Sequence, residues 1–257
     1  MTRQTVRWPL IFALTVLVCG GGCMTLPFIG QRMEDMTYIG LDKHTHARLR
    51  GEVNPRPNDP GPVSHLSGRL LLYQLLLPRQ RSYYYELASW VTIKESDLAL
   101  LEELEGVDSV GYLGLHWEEP DQDQPYTGEP TVTPAQFREA MLGAAQVRDG
   151  DLILVYTAHD KSDQFDPTLS LASILTLGFA PTKLVTVETN IEAALVDAHS
   201  GFIYAVSSGE GDGWRIASMW SRESKKYPAA ADAGAEAFGN MANKLKDAWP
   251  TMRQVYR

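Results

Sequence analysis

The stretch KLVTVETNIEAALVDAHSGFIYAVSS, residues 183–208, indicates the fold most directly. Its two halves, 183–196 and 202–208, are rich in β-branched and aromatic residues, which favour strands. His199-Ser200-Gly201 is a short connection between them, with a glycine available for a positive φ angle. The sequence therefore predicts a β-hairpin over residues 183–208.

The flanking segments alternate between strand-like and helix-like composition. Residues 151–157, DLILVYT, form a short apolar run between turn residues and predict a buried strand. Helices alternate with strands ahead of the hairpin, so the class is α/β or α+β, a single compact domain with a mixed sheet flanked by helices. Further strands are predicted at 69–77, 83–93 and 107–117, although the leucines of 69–77 also suit a helix. Helices are predicted at 96–105, from 134, at 166–177 and at 228–249.

Several residues are expected to set the ends of these elements. Ser96 and Thr133 are suited to cap helices, and Thr133 is followed by Pro134 and by Gln136, a capping-box arrangement. Pro250 is expected to end the last helix. Residues 209–213, GEGDG, lack the spacing of a phosphate-binding loop and predict a solvent-exposed loop.

The core is predicted from the apolar positions of these elements. Large-to-small changes at such positions typically cost about 2–5 kcal/mol of unfolding free energy. The residues expected to be buried in one sheet are Leu152, Leu154, Val155, Val185, Val187 and Leu195, with Phe238, Met241 and Leu245 of the last helix packed on a face of it.

The hairpin carries a short resemblance to a known group of proteins. Residues 194–197 (ALVD), 200–201 (SG) and 202–204 (FIY) resemble the strand–Asp–turn–Gly–strand hairpin of periplasmic lipoproteins, among them the curli-secretion and penicillin-binding-protein-activator lipoproteins. The resemblance covers only these residues. It implies a compact α/β domain that works by protein contact rather than catalysis, with Asp197 and Gly201 as turn residues.

The first residues, MTRQTVRWPLIFALTVLVCGGGC, have the pattern of a secretory signal. Arg3 and Arg7 give the segment a basic start. The apolar run 8–18 is too short for a membrane-spanning helix, which needs about 20 residues. Small residues then precede Cys23. The segment 1–22 is therefore predicted to be a signal peptide that directs the chain to the cell envelope.

Cys23 makes this segment resemble the start of a bacterial lipoprotein precursor, in which a small residue precedes a cysteine that becomes lipidated. Gly22 fits the pattern, whereas Gly20 stands where the class usually has leucine. The only other cysteine is Cys19, so Cys23 has no partner for a disulfide in the mature chain. An ordinary cleaved signal and an uncleaved anchor are the alternatives. By the same resemblance, Met24 rather than Asp favours the outer membrane in a Gram-negative host.

The segment after Cys23 is expected to hold the domain away from the membrane. Residues 54–62, NPRPNDPGP, contain four prolines and resist regular structure. We therefore predict a signal at 1–22, a lipidated flexible tether at 23–64 and a globular domain at 65–257. A loop packed on the domain is the alternative for the tether.

The overall charge narrows the range of partners. The chain has a formal net charge of −9, and removal of the basic signal makes the remainder more acidic. An acidic body argues against nucleic acid and against electrostatic binding to anionic lipid. The partners we expect are the membrane, through lipid on Cys23, and an envelope protein that the sequence does not identify; self-association stays open.

Catalytic and metal-binding patterns are weak in this sequence. The six histidines show no zinc spacing, and we expect no metal and no cofactor. His159 and Asp160 follow the predicted strand 151–157, at the kind of strand end where open α/β sheets place chemistry. A polar strand end entering a loop is the structural alternative. These two residues, or the loop with Glu118 and Glu119, would serve the alternative function, an envelope hydrolase.

One apolar segment could be core or interface. Residues 169–181, LSLASILTLGFAP, are apolar nearly all round. A buried helix is one interpretation, and a surface that docks on a partner is the other. Leu171, Ile174, Leu175 and Leu177 would form that surface. The sequence as a whole predicts an envelope-anchored lipoprotein that acts as a non-catalytic interaction or assembly module.

Overall fold

The computed structural model describes residues 36, 39–51, 59–75, 91–114, 133–165, 183–217 and 222–256, with only the backbone for 162–165, 183 and 222–223. The predicted signal peptide, Cys23, the predicted helix 166–177 and most of the predicted strand 83–93 lie outside these residues. Residues 91–93 have no regular structure.

The described elements form a mixed sheet with helices on both faces. In chain order they are α1 (Lys43–Leu49), β1 (Gly68–Gln74), α2 (Glu95–Glu102), β2 (Val107–Tyr112), α3 (Pro134–Val147), β3 (Leu152–Phe165), β4 (Lys183–Asp197), β5 (Ile203–Ala217) and α4 (Arg222–Val255). The sheet order is β2-β1-β3-β4-β5. β1 is parallel to β2 and β3, and β3, β4 and β5 are antiparallel. The predicted α+β domain with a mixed sheet is confirmed.

Each face of the sheet has its own apolar core. Because side chains alternate along a strand, Leu154 and Tyr156 of β3 face α4, whereas Ile153 and Val155 face α3. The edge of the Tyr156 ring meets the Phe238 ring of α4 at a centroid distance of 5.3 Å. All the predicted core residues are buried: Leu152, Leu154, Val155, Val185, Val187, Leu195, Phe238, Met241 and Leu245.

Close packing between β5 and α4 corrects the interpretation of residues 209–213. They continue β5 rather than forming an exposed loop. Gly209, Gly211 and Gly213 lie on the face toward α4, against Ala237, Ala233 and Ala229 respectively. A Cβ atom on Gly211 would stand 2.2 Å from the carbonyl oxygen of Ala233. Glycine at alternate positions therefore lets the helix backbone rest directly on the strand. We call Gly209, Gly211 and Gly213 the glycine row of β5.

The ends of two helices differ from the prediction. α4 continues through Pro250 to Val255, because Trp249 and Met252 are buried and the Trp249 indole donates a hydrogen bond to the Glu105 carbonyl at 3.0 Å. The N-cap of α2 is Lys94, two residues before the predicted Ser96, and the helix ends at Glu102 rather than at Glu105. The capping box of Thr133 and Gln136 at the start of α3 is confirmed.

The described part of the predicted tether packs on the domain. Met36, Ile39 and Leu41 are buried in the core between the sheet and α3. Asp42 caps α1 by accepting a hydrogen bond from the Thr45 backbone N–H. These described residues therefore contact the domain, because their apolar side chains are buried in that core.

Candidate functional site

The structure separates the two residues of the proposed hydrolase site. His159 and Asp160 lie within β3, which is longer than predicted, and not in a loop after it. His159 is opposite Asn190 and Asp160 is opposite Thr189, whose hydroxyl donates to it at 2.7 Å. Neighbouring residues of a strand point to opposite faces, so these two side chains lie on opposite sides of the sheet. Cys23, Glu118, Glu119 and the surface of Leu171, Ile174, Leu175 and Leu177 lie outside the described residues.

The β4–β5 turn is organised around the buried carboxylate of Asp197. One carboxylate oxygen, Oδ1, accepts hydrogen bonds from the backbone N–H groups of His199 and Ser200, both at 2.9 Å. The other, Oδ2, accepts from the N–H groups of Val63 and Ser64, at 2.7 and 2.8 Å, from the Ser64 hydroxyl and from the Tyr204 hydroxyl. Asp197 therefore joins the turn to the segment that leads into β1.

These hydrogen bonds keep Asp197 ionised. Burial alone would raise the pKa of its carboxyl group, but hydrogen bonds from the backbone of Ser64, Val63 and Ser200 and from the Tyr204 hydroxyl outweigh burial. The pKa of Asp197 therefore lies well below its ordinary value. Burial raises the pKa of Tyr204, so its hydroxyl stays a donor. The Asp197 carboxylate therefore has a structural role, because both of its oxygens accept hydrogen bonds from within the chain.

Gly201 completes this turn as the sequence predicted. Its φ is +70°, a conformation that favours glycine, and its N–H donates to the Asp197 carbonyl at 2.8 Å. A Cβ atom here would also meet the Arg138 guanidinium of α3, which donates to the Gly201 carbonyl at 2.9 Å. The roles of Asp197 and Gly201 as turn residues are thus borne out by the geometry.

Both ends of the described chain meet at the same turn. Phe202, Tyr204 and Tyr256 form a triangle of edge-to-face rings, with centroids 5.2 to 5.5 Å apart. Arg48 of α1 lies over the Phe202 ring, 4.4 Å from its centroid, and donates to the Ile203 carbonyl. The Nδ1 atom of His65 is 3.0 Å from the Tyr256 carbonyl oxygen. This end of the sheet is therefore held by contacts between distant segments.

A shallow cleft of about 530 Å³ opens beside this turn. Its titratable lining residues are His65, Asp108, Asp151 and His199, and the Nε2 atom of His199 is 3.2 Å from Oδ1 of Asp151. Ser64 and Ser67 also line the cleft, but their hydroxyls donate to Asp197 Oδ2 and to the Ser64 carbonyl. The described contacts thus give His199 a carboxylate partner, but they do not place a serine hydroxyl beside it. A nucleophilic site needs a nucleophile hydrogen-bonded to the base.

Within the described ranges, no group of three or more His, Cys, Asp or Glu side chains could hold a metal ion. The helices in the same part of the chain include none that is long and apolar enough to cross a membrane.

The other feature open to a ligand is the side of the hairpin turned away from α4. We define the outer face as the residues of β4 and β5 on that side: Leu184, Thr186, Glu188, Asn190, Glu192, Val206, Ser208, Glu210, Asp212, Trp214 and Ile216. Every β5 member is exposed, with Trp214 at 60% and Ile216 at 54%. On β3, by contrast, Thr157 and His159 of the same side are buried. The uncovered part is therefore centred on β5 and Glu188.

Side chains seal the free edge of β5 where the sheet ends among the described strands. Asn240 of α4 donates to the Glu210 carbonyl at 2.7 Å, and Glu236, one turn earlier, accepts from the Asp212 N–H at 3.4 Å. The Arg215 guanidinium donates to the Trp214 carbonyl and pairs with Asp232. These side chains engage three outward backbone groups of β5 and thereby hinder the addition of a further strand there.

The sequence held a signal for the outer face that the prediction missed. In residues 209–216, GEGDGWRI, glycine alternates with Glu, Asp and Trp, which is the period-2 pattern of a strand with one empty and one solvated face. The glycines suggested a loop, because glycine disfavours strands. The close approach of α4, which makes glycine necessary, depends on residues far along the chain and cannot be deduced locally.

Comparison with known proteins does not assign this chain to a family. No protein-family model matches it, and no curated protein matches it. Similar solved structures include a putative lipoprotein from Caulobacter crescentus CB15, 13% identical over 46% of this chain and 84% of that one, with a TM-score of 0.26. A putative neuraminyllactose-binding hemagglutinin homolog from Helicobacter pylori is 8% identical over 79% of this chain and 98% of that one, with a TM-score of 0.31. The hypothetical protein CT253 from Chlamydia trachomatis is 10% identical over 74% of this chain and 96% of that one, with a TM-score of 0.23. These TM-scores are too low to carry an argument about this chain.

Proposed function

We propose that this protein is an envelope lipoprotein, anchored through lipid on Cys23, whose domain acts as a non-catalytic interaction or assembly module. The observation that carries the proposal is the N-terminal pattern: a basic start, a short apolar run and Gly22-Cys23, in a chain with no cysteine beyond Cys23. In a Gram-negative host, the residue after Cys23 favours the outer membrane, with the domain facing the periplasm.

Two features of the domain support an interaction role. The polar groups at the β4–β5 turn are committed to internal contacts, as the Asp197 carboxylate shows. The outer face, in contrast, presents Trp214 and Ile216 to solvent at more than half of their surface. Large exposed apolar side chains that lie together are typical of surfaces that bind another macromolecule.

The anchor is tested by intact-mass measurement of the protein from the membrane fraction. We expect the mature chain to begin at Cys23 and to carry the added mass of acyl chains, because more than one chain gives durable attachment. The Cys23→Ala variant should be released to the soluble fraction, whereas Cys19→Ala should stay with the membrane. A wild-type chain that is unmodified and soluble would rule the anchor out.

A further inference from the structure

The outer face of β4 and β5 combines an apolar end with an acidic centre. Trp214 and Ile216 lie beside Leu184 on one end, as the strand register shows. Glu188 is opposite Asp212, Glu210 lies one pair further along on the same side, and Glu192 lies two pairs further along. Lys161 of β3 lies opposite Glu188, and the Arg215 guanidinium at the strand edge pairs with Asp232. Glu188, Glu210 and Asp212 are exposed acidic side chains, which give this part of the surface a negative potential.

We propose that this face binds a basic segment of a partner protein, with an arginine or lysine stacked on Trp214 and neighbouring cations facing Glu188, Glu210 and Asp212. The proposal rests on the interaction role proposed above and names the chemistry of the partner. Alternate residues of a strand are roughly 7 Å apart. A cation over the indole ring and another at Asp212 can therefore come from one extended segment.

The charges argue against a second copy of this chain as the occupant. A two-fold contact through the outer face would bring Glu188, Glu210 and Asp212 of one copy against the same carboxylates of the other. Like charges placed opposite one another oppose association. An anionic membrane surface is disfavoured for the same reason.

The hydrogen bonds at the free edge of β5 limit which groups can contact the partner. Strand addition would need the outward backbone groups of β5, but the Glu210 carbonyl, the Asp212 N–H and the Trp214 carbonyl are engaged by Asn240, Glu236 and Arg215. The proposed contacts are therefore made by side chains of the face rather than by the strand backbone. The affinity should therefore depend on Trp214 and on the carboxylates and be insensitive to Asn240.

The first test measures binding of the full-length, detergent-solubilised protein to a labelled synthetic peptide in which arginine alternates with threonine. We expect Trp214→Ala and the double variant Glu210→Lys, Asp212→Lys each to weaken binding about tenfold or more, a change that corresponds to about 1.4 kcal/mol. The double variant Glu102→Lys, Glu139→Lys changes the net charge equally on exposed helical positions of α2 and α3 and should leave binding within about twofold on the same scale. A glutamate–threonine peptide should not bind.

The outcomes separate the proposal from its competitors. Equal weakening by the helical control would show only general attraction to an acidic protein and would overturn the proposal. Failure of the arginine peptide to bind would show that the face does not take a basic segment and would overturn it as well. Concentration-dependent self-association that Trp214→Ala removes would make a second copy the occupant, which also overturns it. The melting temperatures of all variants should equal that of the parent, so that a change in binding does not reflect unfolding. We expect this because the backbone contacts of Glu210 and Asp212 do not depend on their side chains.

The second test separates this surface from the interaction role itself. A photo-crosslinking residue is placed at Ser208 on the outer face or at Val147, an 86% exposed control on α3, in the lipidated protein in its own envelope. Crosslinks from Ser208 to a segment rich in Arg and Lys support the proposal, and reversing those charges should remove them. Crosslinks from Val147 alone would overturn this surface while leaving the interaction role intact. Crosslinks from neither site would count against both.

Discussion

Replacing Asp197 by asparagine, a side chain of nearly the same size, should strongly destabilise the domain. The reason is that both oxygens of the carboxylate face hydrogen-bond donors. Whichever way the amide is turned, its NH₂ group meets two backbone N–H groups, those of Val63 and Ser64 or those of His199 and Ser200. Each lost hydrogen bond to a charged acceptor costs about 1.5–3 kcal/mol. We therefore expect a loss of roughly 3–6 kcal/mol, a large part of the about 5–15 kcal/mol that holds a typical domain folded.

The loss is measurable by thermal and urea unfolding of Asp197→Asn against the parent. For a domain of this size each kcal/mol lowers the melting temperature by about 2–4 °C, so the decrease should be about 6–24 °C. Ser200→Ala is the matched control. It removes only the hydroxyl that accepts from the Phe202 N–H and keeps the Ser200 N–H on Asp197. Its effect should stay near the about 1 kcal/mol of an ordinary hydrogen bond.

The pH dependence gives an independent check on the same residue. The pKa of Asp197 is lowered in the folded state, so the stability that it contributes is fully present above the unfolded value of about 3.9 and is lost as the pH falls below it. The parent should therefore lose more stability than Asp197→Asn between neutral pH and the acid range, and the two curves should converge. A variant that melts within about 1 °C of the parent, with a parallel pH curve, would refute this account.

Three further substitutions test the core, the glycine row and the undescribed apolar segment. Leu154→Ala removes a side chain that is 1% exposed and should cost about 2–5 kcal/mol in urea unfolding; a change within error would mean that β3 is not core. Gly211→Ala should cost about 1–3 kcal/mol through its clash with α4, whereas Gly143→Ala on α3, where nothing lies within 4 Å, should be neutral or stabilising. The paired change Leu171→Asp, Leu175→Asp should abolish folding if residues 169–181 are core and should remove only an oligomer or partner, seen by ultracentrifugation and pull-down, if they form an interface; a folded protein with every association intact would exclude both.

The elements that the sequence predicted well are those whose signal is local and periodic. The strand at 151–157, the hairpin and the apolar face of α4 repeat their hydrophobic residues at the period of their own structure, so burial could be assigned residue by residue. The capping box at Thr133 is likewise a pattern within four residues. Asp197 was assigned to the turn through the resemblance of residues 194–204 to the hairpin of periplasmic lipoproteins.

What the sequence did not reveal depends on contacts between distant residues. The hydrogen bonds from Val63 and Ser64 to Asp197 cross more than 130 positions, and nothing near 63–64 indicates them. They hold the chain just ahead of His65 and Leu66, which take positive φ angles of 49° and 55°. Pro250 was expected to stop α4, but the burial of Trp249 and Met252 carries the helix past it. Local rules failed where packing supplied a larger energy.

The glycine row, the sealed edge and the exposed outer face of β5 are consequences of one arrangement. Because Gly209, Gly211 and Gly213 carry no side chains, α4 lies close enough for Glu236 and Asn240 to reach the edge of the strand. A bulkier row would hold the helix farther away, leave the edge open to strand addition and expose the chain to aggregation. The same alternation puts every side chain of residues 209–214 on the outer face. The close packing of α4 therefore restricts the inner side of residues 209–213, while Glu210, Asp212 and Trp214 stay exposed on the outer side.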